Sequence, residues 1–380
     1  MKHLVVVILL VTALIGYGSD NKDKTPVKKE TDDKKRGTLS AVNSEKKSEK
    51  KIKHFLEYLF GDFKKTGGKK SFMPRTAFEY AKMCEPELGV PPKINLDECI
   101  EIPLYVNGVQ KYGVILSQEA DNPNLQGKEF TSSGSVLQRY EGRTAEDKPL
   151  PDVVWIAFGR NEDWDGDQRR FVGSVQMIGY NKKTGATAFF ESNFLNLNDW
   201  VKQDKGTLRM RGKIPWIDKP EEFNKAFVPS PMQCVSCHQA DPFVTNPFIK
   251  AAKIPGTKET VVPVLDKDSP YYVIGGENWD MRTMHVEGNS CFDCHRVGMK
   301  TMELFMNAGW DPNNHMPPYN PGSLVDDVRE LLNAWKLGPE NVSNANWIIP
   351  PARGNKSQIV EKDYPYKAKF NKWGKSYFIP

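Results

Sequence analysis

Two copies of one five-residue pattern constrain this chain more than any other feature. They are Cys234-Val-Ser-Cys237-His238 and Cys291-Phe-Asp-Cys294-His295. Each is a C-x-x-C-H, the attachment signature of a c-type haem. Two thiols three positions apart on one turn can each add to a vinyl group of the same porphyrin, and the adjacent histidine then faces the iron as its proximal ligand. Cysteine and histidine are scarce, six of each in 380 residues, so a chance copy is expected in roughly one such chain in a thousand. A zinc site made from two C-x-x-C pairs would set them roughly 15–20 residues apart, whereas 53 residues separate Cys237 from Cys291. Two plain disulfides would leave both histidines unexplained. The reading is therefore two covalently attached haem c groups, held by Cys234, Cys237, His238 and by Cys291, Cys294, His295.

The start of the chain suits that chemistry. Met1-Lys2-His3, an apolar run from Leu4 to Ile15 and the small residues Gly16 to Ser19 read as a secretory signal over 1–19. The run is too short for a membrane span of roughly twenty residues. No cysteine precedes Cys84, so membrane association is left open but not through a lipid anchor. The expected compartment is the periplasm or another extracytoplasmic space, where covalent haem attachment belongs. Residues 20–53 hold twelve Lys or Arg against seven Asp or Glu, a surplus of five that equals the net charge of the whole chain. With Lys2 set aside, the remainder from residue 54 is close to neutral, and a nucleic-acid partner is excluded on charge. The same segment has five apolar residues, too few to offset its ordering entropy, and reads as a disordered charged linker.

From residue 54 to 220 the pattern is that of a β-rich module. Its runs are Ile102–Val106, Gly113–Leu116, Val153–Phe158, Phe171–Tyr180 and Ala186–Phe190, punctuated by Asn107-Gly108, by Asn181 to Gly185 and by Gly206. Together they predict an antiparallel sheet or small sandwich over about 100–215. Cys84 and Cys99 stand outside both motifs. In an oxidising compartment they are expected to pair, closing a 14-residue loop that would contribute roughly 3 kcal/mol. Asp163-Trp-Asp165-Gly-Asp167 resembles a calcium loop in its alternation but lacks the glycine position and the distal glutamate; it reads as a solvated loop between strands.

The region 221–345 resembles dihaem cytochromes c in its two motifs. The order of a paired-cysteine entry, a strand module and two haem motifs also resembles that of secreted bacterial dihaem proteins. After His295, an expected helical stretch from Met299 to Asn307, broken by Gly309 and Pro312, leads to Asn314-His315-Met316-Pro317-Pro318, and Ser323 and Asp326 read as a cap pair opening a helix through Trp335 that Gly338-Pro339 stops. A Met-Pro-Pro segment before a closing helix resembles the distal side of small cytochrome c domains. That resemblance implies Met316 as sixth ligand of the second haem, with His315 as its competitor. For the first haem the candidates are Met232, Met281, Met284, His285 and His315. His285 is preferred as a ligand because a neutral imidazole is a common axial group, and packing or a propionate contact is its other reading. Residues 346–380, ending in aromatic and basic alternation, are expected to pack as a tail.

The expected fold is α+β: an N-terminal β-rich module followed by a mainly α-helical, loop-rich, cytochrome c-like dihaem domain. The expected function is an exported dihaem c-type cytochrome carrying single electrons between redox partner proteins. A dihaem peroxidase-like enzyme with one open haem, and a partner-binding β module wired to a redox chain, are the alternatives.

Overall fold

The computed structural model describes residues 74–124, 130–161, 173–193, 196–235, 238, 241–265, 269–276, 283–293, 297–298, 323–348, 351–352 and 356–357. All of them belong to the unit that spans Phe72–Pro380. The signal segment, the charged linker, the Asp163–Asp167 loop and the aromatic tail lie outside the described residues.

Helix α1 (Ala77–Leu88) opens the described chain. Thr76 and Glu79 form a capping box, the Thr76 hydroxyl accepting from the Glu79 amide at 3.2 Å, which satisfies donors that the first turn would otherwise leave unpaired. Gly89 ends the helix at φ +66°. A Cβ there would lie 2.1 Å from the Arg143 carbonyl oxygen, so the close approach requires glycine. Tyr80, Ala81, Cys84 and Leu88 form the buried face.

Short strands follow: β1 (Ile100–Glu101), β2 (Leu104–Val106), β3 (Val109–Lys111), β4 (Val114–Leu116) and β5 (Phe130–Ser132). Asn107 and Gly108, both at positive φ, turn β2 into β3, as the Asn-Gly pair predicts. The main strands are β6 (Val136–Arg143), β7 (Pro149–Arg160), β8 (Ser174–Asn181) and β9 (Ala186–Ser192). They pair antiparallel in sequence order, with a register shift in β6 between Glu141 and Gly142. Of these four, β6 is the one the sequence reading missed; its Gln-Arg-Tyr-Glu-Gly centre breaks the apolar run that marks its neighbours. A small antiparallel pair, β10 (Lys202–Gln203) with β11 (Met210–Arg211), follows.

The sheet continues past residue 220. After helix α2 (Pro220–Ala226), strand β12 (Phe227–Pro229) pairs antiparallel with Phe190–Ser192, and β13 (Tyr272–Val273) pairs parallel with Ala186–Thr187. The order is β1-β6-β7-β8-β9-β12, with β13 also against β9. One face is covered by α1 and α2, through Tyr80, Leu88, Phe223 and Ala226 against Val153, Trp155, Met177 and Phe190. The other is covered by the 243–265 segment with its short helix α4 (Pro247–Ala251), where Phe243, Phe248 and Val261 meet Val154, Ile156 and Tyr180.

A second cluster is built on the sheet β15-β14-β16, with β14 (Thr283–Val286) between β15 (Val297–Gly298) and β16 (Ala345–Ile348). Helix α5 (Val325–Leu337) supplies Leu331, Ala334 and Trp335 to Met284 and Val286. Gly338, at φ +86°, ends that helix as expected. Its N-cap is Leu324 with no side-chain cap bond, so the expected Ser323–Asp326 cap pair does not form.

These observations correct the fold class. The part beyond residue 220 is not a mainly helical cytochrome c-like domain. Among the described residues there, only α5 exceeds two turns, and strands from this part complete the first sheet and build a second. Proline explains the short helices: Pro229, Pro231, Pro242 and Pro247 fall within nineteen residues, and each removes an amide donor and restricts its predecessor.

Candidate functional site

The first C-x-x-C-H hangs directly from the sheet. Strand β12 ends at Pro229, and the next amide, Ser230, donates to the Phe189 carbonyl at 3.2 Å. Pro231 opens the short helix α3 (Pro231–Cys234), at the first position of a helix, where its missing amide costs nothing. The turn then carries on by helical spacing. Cys234 donates to Ser230 at 3.0 Å, Val235 to Pro231 at 3.1 Å and His238 to Cys234 at 2.8 Å. Cys234 and His238 therefore stand one turn apart on one side. Cys237 lies outside the described residues.

The imidazole of His238 is fixed from several directions. Its ring sits 5.3 Å from the buried Phe189 ring, and Nδ1 is 3.3 Å from the Asp241 carbonyl oxygen. A carbonyl can only accept, so this contact is a hydrogen bond in the tautomer that carries its proton on Nδ1. The Tyr271 hydroxyl donates to the His238 carbonyl at 2.5 Å. Burial pushes the imidazole down to about 4; the Asp241 carbonyl and charge oppose that shift, and the positive charge of Arg160 adds to it. The ring is consequently neutral near pH 7, the form in which a histidine ligates metal. A backbone acceptor on the far nitrogen is also the usual outer support of a ligating histidine.

The second motif is held differently. Cys291 lies on a 3-10 turn, Ser290–Asp293, between β14 and β15. At the start of the turn the Phe292 amide donates to the Asn289 carbonyl at 3.3 Å. Its firm contacts come from α5. Asp327 accepts from the Ser290 amide at 3.0 Å and from the Ser290 hydroxyl at 2.7 Å. The Asn289 amide group donates to the Asp327 carbonyl at 3.0 Å and to Glu330 at 2.9 Å, and its own oxygen accepts from the Cys291 amide at 3.2 Å. Glu330 is held in turn by Asn344, at 2.8 Å. His285, on β14, lies with its ring 5.0 Å from that of Phe292, which puts it beside the second motif. Cys294, His295, His315 and Met316 lie outside the described residues.

Cys84 and Cys99 are both buried thiols and do not form the expected disulfide. Cys84 faces inward from α1 in the main core. Cys99 lies on the turn before β1, with its Sγ–H donating to the Asn95 carbonyl at 3.4 Å and Tyr140 beside it; burial pushes its thiol up to about 12. Each thiol thus has its own neighbours in the core.

No protein-family model matches the chain, and no curated protein or solved structure matches it either. Among the described residues, no group of three or more His, Cys, Asp and Glu side chains gathers to hold a metal ion, and no helix is long and apolar enough to cross a membrane. The resemblance to dihaem cytochromes c is therefore corrected: neither the architecture nor any match supports that kinship. Among the described residues the fold is β-rich, with Cys234 and His238 just after strand β12 of the main sheet and Cys291 between strands β14 and β15 of the three-stranded sheet.

The residues that orient the motifs were not legible as such. Phe189 was visible only as part of an apolar strand, and Tyr271 and Asp327 carry no motif at all. Asp327 lies 36 positions beyond Cys291, with no local pattern to link them.

Proposed function

We propose that this protein is an exported one-electron carrier in which each C-x-x-C-H motif holds one covalently attached haem on a β-rich scaffold. The observation that carries the reading is the first motif: Cys234 and His238 one helical turn apart, with the His238 Nδ1 at 3.3 Å from the Asp241 carbonyl oxygen. In the tautomer protonated on Nδ1, that arrangement leaves Nε2 as a neutral, fixed ligand donor. The residues described there suit a haem by their donor set, and the bound iron would supply reversible one-electron transfer. The chain's own share is to fix the ligand, exclude water and present a docking face. Phe189 and Tyr271 serve the first two ends, one by covering the imidazole and the other by holding its backbone. The proposal rests on the motifs and their supports and needs no kinship with known cytochromes.

The test is chemical. The mature protein, purified from the extracytoplasmic fraction of a host able to attach haem, is unfolded in acid and organic solvent, and the mass of the polypeptide is measured. Two haem masses retained on the chain, one on each motif peptide, is the expected result. Colour that separates from the polypeptide, or a mass equal to the bare chain, overturns it. Reversible reduction by one electron per haem, followed optically, is the accompanying expectation for a carrier.

A further inference from the structure

Strand β6 has one full neighbour and one interrupted neighbour. Strand β7 pairs with it from Val136 to Arg143. Along its other edge β1 pairs only with Val136 and Leu137, and the chain meets that edge again where Val90 bridges to Arg143. Pro91 and Pro92 have no amide to donate, so the pairing that Val90 starts cannot continue through them. The chain turns onto the face that α1 covers instead. There the Leu96 amide donates to the Gly212 carbonyl at 2.8 Å, the Ile214 amide to the Ile94 carbonyl at 3.1 Å and the Trp216 indole to the Pro91 carbonyl at 2.6 Å, with Ile94 and Leu96 buried in the main core. The excursion leaves a gap beside β6. The Ser135 carbonyl accepts from Ile102 and the Arg143 carbonyl from Val90, both at 2.9 Å. Backbone groups alternate in direction along a strand, so those of Arg139 and Glu141 point to the same edge. Among the described residues no strand pairs with that edge between Leu137 and Arg143; the Arg139 carbonyl accepts only from the neighbouring Gln138 side chain, at 3.2 Å.

We propose that this open stretch of β6 binds an extended, lysine- or arginine-bearing segment of a partner protein by strand addition. The inference goes beyond the haem reading and does not depend on it. A groove of about 410 Å³ lies over the gap, walled by Glu98, Ile100, Ile254, Pro255 and Val261. The five positions from Gln138 to Gly142 offer main-chain bonds at Arg139 and Glu141, which give affinity to an added strand whatever its sequence. Charge selects the sequence. The Arg139 guanidinium is spent on the Glu259 carboxylate and on the Thr260 and Val261 carbonyls. Arg143 approaches Glu141 no closer than 4.0 Å and lies nearer Asp147, at 3.3 Å, so the Glu141 carboxylate, 81% exposed, faces the solvent at the groove. Glu98 is exposed beside it and accepts from Asn95 at 2.6 Å. The rim is therefore acidic. A cationic side chain directly opposite Glu141 on the added strand would form a favourable cross-strand pair, and an anionic one would be repelled.

The experiment titrates the full mature chain into a dye-labelled peptide, acetyl-Thr-Lys-Val-Thr-Val-amide, at low salt and follows fluorescence anisotropy. Saturable binding is expected. Replacing the peptide's Lys by Glu should weaken it about fivefold, and methylating the amide nitrogens of its Lys and second Thr, which removes the bonds to Arg139 and Glu141, should weaken it about tenfold. Glu141→Lys, at an exposed side chain, should reverse the preference between the Lys and Glu peptides while the far-UV circular dichroism stays that of wild type. Glu98→Gln should weaken the Lys peptide alone and serves in its place if Glu141→Lys does not fold. Absence of saturable binding overturns the proposal. So does equal binding of the N-methylated peptide, which would mean adhesion by charge without strand addition, and so does a peptide preference that neither variant changes.

Discussion

Asn161 directly follows strand β7 and is 2% exposed, yet almost every polar atom it has is used. Its side-chain amide donates to the Ser133 carbonyl at 2.7 Å and the Leu208 carbonyl at 3.2 Å, and its side-chain oxygen accepts from Gln203. Its backbone amide donates to the Ser135 hydroxyl at 2.9 Å. Asn161→Ala strands two buried carbonyls and one amide group; at about 1–3 kcal/mol for each buried polar group left unpaired, less what water entry recovers, the loss should be about 3 kcal/mol. Asn161→Asp keeps the shape but turns a double donor toward two carbonyls into an acceptor. The folded protein therefore favours the protonated acid, and the folded pKa rises above the unfolded value of about 3.9. A raised folded pKa gives stability that is present below the unfolded pKa and lost as pH rises. The Asn161→Asp deficit should thus grow by about 1.4 kcal/mol per pH unit above about pH 4, until the folded carboxyl itself ionises. Urea denaturation followed by far-UV circular dichroism at about pH 4.5, 6 and 7.5 measures the gap to wild type. A gap that does not change with pH, or an Asn161→Asp protein within about 0.5 kcal/mol of wild type at neutral pH, would refute the reasoning.

Three further outcomes are expected. A Cβ on Gly179 would lie 2.7–2.8 Å from the Trp155 ring, its partner across the strands. Gly179→Ala should therefore cost about 1–3 kcal/mol, and combining it with Trp155→Leu should cost less than the sum of the two; additivity within about 0.5 kcal/mol would count against the packing. Cys99, with its thiol pushed up to about 12 by burial, and the buried Cys84 should resist alkylation at about pH 8 in the native protein. Both should label fully in urea without reductant, and failure to label there would show that they are linked after all. The Arg209 guanidinium donates to the Cys99 carbonyl at 2.6 Å and pairs with Glu101 at 3.5 Å, so Arg209→Lys, which keeps the charge but not the fork, should lower stability by about 1 kcal/mol in the same urea assay.

The strands Leu104–Val106, Val114–Leu116, Pro149–Arg160, Ser174–Asn181 and Ala186–Ser192 were legible in outline because β-branched and aromatic clusters between turn residues carry their signal locally. Asn107-Gly108 gave its turn for the same reason. Strand β6 was not legible, since its Arg139 and Glu141 sit on a face that only the assembled sheet explains. The second half was misread as mainly helical because a C-x-x-C-H pattern says how a few residues are spaced and nothing about what surrounds them.

Residue order alone determines the two C-x-x-C-H patterns, the scarcity that gives them weight, and the turn of the first motif, because its bonds span four residues. Tertiary structure alone decides that strands β12 and β13 close the sheet across residue 220, that Phe189 covers His238, and that Asp327 shapes the turn of Cys291. Those contacts join residues tens of positions apart. Their stability comes from burying one element against another, which no short stretch of sequence records.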